Sequence, residues 1–81
     1  MKRPSAQTVL EELLSAAIEA ALNARKHAGR DPFENGKLMA YYDIITTAKE
    51  QAEVMGIEFA DKTIADFDAD KELLGARKQI A

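Results

Sequence analysis

The sequence predicts an all-α fold: a long antiparallel helical hairpin with a shorter third helix packed across it, a three-helix bundle completed by dimerisation. Three observations carry this expectation. Apolar residues recur at steps of three and four over two long stretches. Helix-stopping and turn-forming residues separate those stretches: Gly29, Asp31-Pro32, Asn35-Gly36 and Gly56. Finally, the chain has 81 residues and 6% aromatics, so one small core of aliphatic groups and alanines leaves little stability to spare. With no cysteine to form a disulfide or a thiolate metal site, association with another chain is the remaining source of stability.

The first helix is expected over about residues 6–28. Ser5 or Thr8 can cap it, and Thr8 followed by Glu11 has capping-box spacing. Glu11 and Glu12 then sit near the positive end of the dipole, with Arg25, Lys26 and His27 near the negative end. Gly29 supplies the left-handed residue that ends it. Leu10, Leu13, Leu14, Ala17, Ile18, Ala21, Ala24 and Ala28 form one stripe, widened by Val9, Ala16 and Ala20 on one side and by Leu22 on the other. A stripe this wide is more than one neighbouring helix covers, so two partners are expected, one of them from another chain.

Residues 29–36 read as the loop, with Phe33 folding back over the end of the hairpin. A second helix follows over about 37–55. Its stripe is Leu38, Tyr41, Tyr42, Ile45, Ala48, Ala52 and Met55, extended by Ile44; Asp43, Thr47, Glu50 and Glu53 lie opposite. Gly56-Ile57 has the form of a Schellman ending. An acidic connector, 56–68, holds a short helical turn and the apolar anchors Phe59, Ile64 and Phe67. Asp66 or Asp68 caps a third helix over about 69–79, whose Leu73, Leu74 and Ile80 face inward. One domain over 1–81 accommodates all of this.

Composition excludes more functions than it suggests. Charged residues are 31% and hydrophobic ones 47%, the balance of a folded soluble chain. A net charge of −3 is the wrong footprint for a nucleic-acid binder. The basic start is followed by a stretch broken by Glu11, Glu12 and Glu19, which is neither a signal-peptide core nor a membrane span. The expectation is a cytoplasmic protein with no membrane and no nucleic-acid partner.

Five constellations are candidates for chemistry. Asp66, Asp68 and Asp70 alternate like the first ligands of a calcium loop, but Lys71 stands where its glycine belongs and Arg77 where its bidentate glutamate belongs. Helix caps and first-turn acids account for them. His27 has no nucleophile or acid placed beside it by the sequence, and Glu12 and Glu19 lack the Glu-x-x-His element of di-metal bundles. Arg25, Lys26, Arg30 and Lys37 form a basic end without a phosphate cradle or interleaved aromatics. Tyr41-Tyr42 flanks the second stripe and suits the border of a core or an interface. No catalytic, metal-binding or cofactor-binding residue is expected.

Tyr41-Tyr42-Asp43-Ile44-Ile45, Gln51-Ala52-Glu53, Gly56-Ile57 and Asp70-Lys71-Glu72-Leu73-Leu74 resemble a family of small bacterial helical proteins of unknown function. The resemblance covers the C-terminal half. It implies a helical fold and no activity, substrate or cofactor.

The function expected is a non-catalytic, self-associating protein-interaction module. Its interaction candidates are Leu10, Leu13, Ala17, Ala20, Tyr41, Tyr42, Asp66, Asp68 and Asp70. The alternative is a small acidic regulatory or immunity-type protein that engages a basic partner through 58–72, where six acids face two lysines.

Overall fold

A computed structural model describes residues 5–29 and 31–75. Two long helices, α1 (Ala6–His27) and α2 (Pro32–Val54), form an antiparallel hairpin. They are followed by one helical turn, α3 (Lys62–Ala65), and a π-helical turn, Asp70–Leu74. Among the described residues there is no strand. The fold is all-α, as the apolar periodicity predicts.

Ser5 caps α1: its backbone is extended, and its hydroxyl accepts the Thr8 N–H at 3.0 Å. The expected Thr8–Glu11 box does not form. With Ser5 as cap, the box position is Thr8 itself, whose hydroxyl meets Ser5 Oγ at 3.0 Å. Glu11 and Glu12 therefore lie beyond the first turn, which holds no acid. At the other end Arg25, Lys26 and His27 occupy the last turn as expected. Gly29 takes φ +95°, and its N–H donates to Asn35 Oδ1 at 2.7 Å.

That bond ties the link to α2, which starts five residues earlier than expected. Asp31 is its cap, accepting the Phe33 N–H at 2.9 Å. Pro32 takes the first helical position, where its missing N–H costs nothing and its φ is already set. The early start overturns the expectation for Phe33. That residue lies five before Leu38, about 140° round the helix from it. Phe33 is 69% exposed, and its ring lies under the Lys37 ammonium, 5.4 Å away. Glu34 lies 3.5 Å from the same ammonium.

The end of α2 follows the sequence. Gly56 takes φ +74°, its N–H donates to Glu53 O at 3.1 Å, and the Ile57 N–H donates to Ala52 O at 2.8 Å. These two bonds are the Schellman pair.

Within the connector, Asp61 caps α3 by accepting the Thr63 N–H at 2.8 Å, and Asp66 closes that turn. Asp68, not Asp66, caps the last helical segment, accepting the Lys71 N–H at 3.1 Å. Residues 69–75 are helical, and the rest of the expected 69–79 helix lies outside the described residues.

The core joins all four elements. Leu14, Ile18, Ala21 and Ala24 of α1 meet Leu38 and Ile45 of α2, then Ile64 of α3 and Leu73 of the π-turn. Alanines at Ala21, Ala24 and Ala52 are almost fully buried, and their small size lets the two long helices approach closely. Several residues of the expected stripes stay outside. Leu13, Val9 and Leu22 of α1 are exposed, as are Ile44 and Met55 of α2. Leu13 and Ile44 each precede a buried residue by one position, which turns them about 100° away from the core.

Candidate interaction surface

The hairpin is a layer two helices wide, and its two faces differ in chemistry. One face is closed by the connector, α3 and the π-turn. On α1, Gln7 and Glu11 point to that side. The Glu11 carboxylate accepts the Ala60 N–H at 2.8 Å, and Gln7 Nε2 donates to Glu11 at 3.1 Å and to the Glu58 carbonyl at 2.7 Å. On α2, the Lys49 ammonium donates to three carbonyls, Ile64 at 2.9 Å, Ala65 at 3.3 Å and Phe67 at 2.5 Å. These are carbonyls at and just beyond the end of α3; the Ile64 oxygen also accepts the Phe67 N–H at 3.2 Å, and the ammonium takes up its remaining acceptor capacity. The Tyr42 hydroxyl donates to the Asp70 carboxylate. That bond, aided by the nearby negative charges of Asp43 and Glu50, raises the Tyr42 pKa above the usual phenol value.

The other face is open. On α1 it carries Val9, Leu13, Ala16 and Ala20 at steps of four, three and four, a single line along the helix. Val9 is 50% exposed and Leu13 65%. On α2 it carries Ala40 and Ile44, the latter 56% exposed. Both lines lie on the same side of the layer: the helices run antiparallel, and each line is displaced from its buried stripe in the same rotational sense. Glu19 and Lys26 flank the α1 line, lining a shallow groove with Ala16, Ala20, Leu22 and Asn23.

Charge runs along both helices: Glu19 on α1 and Asp43 on α2 are exposed near the middles, and the other charged residues lie towards the ends. Arg25, Lys26, His27 and Lys37 stand near the link, with Asp31 serving as a cap and Glu34 paired to Lys37. Glu11, Glu12, Glu50, Glu53 and Glu58 stand at the far end, where Lys49 is engaged with carbonyls. Arg30, expected in the basic cluster, lies outside the described residues.

The structure sorts the nine interaction candidates into two groups. Leu13, Ala17, Ala20 and Tyr41 come together on or beside the open face, with half-buried Leu10 at its border. Tyr42 and Asp70 are bonded to each other on the closed face, and Asp66 and Asp68 terminate helical turns there. Sequence reasoning missed Lys49 and the connector contacts of Gln7 and Glu11. For Lys49 a signal existed: it lies four residues after Ile45, beside the buried stripe, where a cation needs acceptors.

An open groove of about 500 Å³ also lies between the end of α2 and the connector, with Ala52, Ile57 and Phe59 in its lining and Glu53 and Lys62 beside them. Among the described residues no three metal-donor side chains converge, and no helix is long and apolar enough to cross a membrane. Comparison of the chain with family models, curated proteins and solved structures gives no match.

Proposed function

We propose that the chain is a non-catalytic protein-interaction module that associates with itself, acting in the cytoplasm. One observation carries the reading: Val9, Leu13 and Ile44 stay at least half exposed on one side of both long helices. Contiguous exposed apolar surface costs free energy in water, and in soluble proteins it marks a place where another surface docks. The small core supports the same reading, because a chain of 81 residues gains proportionally more from a partner than a large domain does.

The alternative, a small acidic regulatory or immunity-type protein that engages a basic partner through 58–72, has weaker support. Of the acids in 58–72, Asp61 and Asp68 cap helical turns and Asp70 accepts the Tyr42 hydroxyl. Each has a role in the fold that accounts for it without a basic partner.

Sedimentation equilibrium at micromolar concentration tests the reading. The expected mass is twice the 8.9 kDa of the chain. A monomer at every concentration up to about 100 μM, where even weak specific association would register, would sink it.

A further inference from the structure

We propose that the groove between the end of α2 and the connector is a docking site for a basic peptide segment of a partner protein, one that carries an apolar side chain between two cationic ones. This surface is separate from the open face of the hairpin and shares no residue with it.

Size and lining come first. The groove holds about 500 Å³, within the ~300–1,000 Å³ of ligand pockets. Ala52, Ile57 and Phe59 give it an apolar floor: the first is buried, and the other two are half-buried. An aliphatic side chain laid against them removes apolar surface from water on both partners.

Charge selects the occupant. Glu50, Glu53 and Glu58 line the same groove, and all three are exposed. Glu50 and Glu53 stand at the C-terminal end of α2, whose last turn holds no basic residue. The helix dipole is negative there, so both carboxylates are set against it. Nothing in the fold offsets this. Among the described residues no ion pair or hydrogen bond engages any of the three carboxylates. The carboxylates of Glu11, Asp61, Asp68 and Asp70, by contrast, each accept a bond that holds the fold. Two lysines also line the groove. The Lys49 ammonium is turned onto the carbonyls at the end of α3, whose partial negative charge it offsets. That leaves Lys62 against three carboxylates and the end of the α2 dipole, a negative balance beside an apolar floor. Residues that break a local electrostatic rule without compensation inside the chain mark a surface that a partner completes. A basic segment supplies the missing cations. An acidic one is repelled, and a neutral apolar one covers the carboxylates without pairing them.

The test titrates the capped tripeptide Lys-Leu-Arg into the ¹⁵N-labelled whole chain and follows amide shifts by NMR. Saturable shifts are expected within residues 49–62, and none with capped Glu-Leu-Glu. Raising the salt from about 0.05 to about 0.5 M should weaken the wild-type complex severalfold, a measurement that needs no variant. Glu50→Gln/Glu53→Gln keeps the shape of two exposed side chains, and it should weaken binding about tenfold and flatten the salt dependence. Glu19→Gln, the same change at an exposed position outside the groove, should leave the affinity unaltered. No saturable shift up to about 10 mM Lys-Leu-Arg, equal binding of the acidic peptide, or unchanged affinity in the double variant would each overturn the proposal. Shifts in the groove that follow the concentration of the chain itself, with no peptide present, would give the groove to a second copy and overturn it as well.

Discussion

The two faces of the hairpin solve different physical problems. The closed face must hold irregular backbone: the connector and the ends of α3 present N–H and C=O groups that no helix satisfies. Polar side chains are spent there. Glu11 meets the Ala60 N–H, Gln7 meets the Glu58 carbonyl, and Lys49 meets three carbonyls around the end of α3. The open face consists of helix alone, whose backbone bonds are internal, so nothing there requires a polar partner. Leu13, Ala16, Ala20 and Ile44 line it instead. In this chain polarity follows the backbone irregularity a surface has to cover.

If that contrast is right, the core beneath the closed face holds the stability of the monomer. Ile45→Ala should cost ~2–5 kcal/mol, from lost transfer energy plus a cavity, because Ile45 is fully buried at the centre of the hairpin. Leu14→Ala should fall in the same range. Chemical denaturation measures both, and a loss below about 0.5 kcal/mol at either position, the size expected of a surface change, would break the assignment of the buried phase.

The polar clamp should come next. Lys49→Met keeps the aliphatic stem and removes the ammonium from its three carbonyls. Hydrogen bonds to a charged group contribute ~1.5–3 kcal/mol, so a loss in that range is expected. Amide exchange should show where it acts: faster exchange at Thr63–Phe67 and little change at the centres of α1 and α2. Uniform acceleration would mean that the ammonium supports the whole hairpin and not the closed face in particular.

A smaller effect on monomer stability separates neighbours. Leu13→Ala should cost less than about 0.5 kcal/mol at dilutions where the chain is monomeric, as should Glu19→Ala, since both side chains are exposed. Leu13→Ala should nevertheless flatten the dependence of Tm on protein concentration that a dimer imposes. Unchanged concentration dependence would remove Leu13 from the contact.

The smallest effect is confined to alkaline pH. The folded-state pKa of Tyr42 is raised by its bond to Asp70, so this pair's contribution is complete below the unfolded phenol value near 10 and is lost as pH rises through the folded value. Tyr42→Phe should be slightly less stable than wild type at pH 7, and the difference should shrink above pH ~10. A difference that stays constant to pH 11 would show that the hydroxyl proton is not what joins α2 to the π-turn.

Much of the frame was legible in the sequence. The phase of the buried stripes at Leu14 and Ile45, the basic last turn of α1 and the Gly56-Ile57 ending are written in residues a few positions apart, and local chemistry alone decides them. The start of α2 is also local, yet the sequence places it five residues too late. Asp31-Pro32 can begin either a turn or a helix, and the bond from the Gly29 N–H to Asn35 favours the helix by tying the link to its first turns.

The candidate surface was half legible. The width of the α1 stripe is legible in the sequence, and Leu13, Ala17 and Ala20 are among the interaction candidates it offers. Only the tertiary structure decided which flank stays open. That choice depends on residues 58–75 crossing one face of the layer and leaving the other bare, with contacts as distant in sequence as Glu11 to Ala60, a separation of 49 residues. Spacing along a helix fixes which side chains share a face, because the helix is rigid. Which of two apolar flanks a distant segment covers is set by where the polar groups able to satisfy its backbone lie, here Glu11, Gln7 and Lys49, and that becomes visible only once the chain has folded.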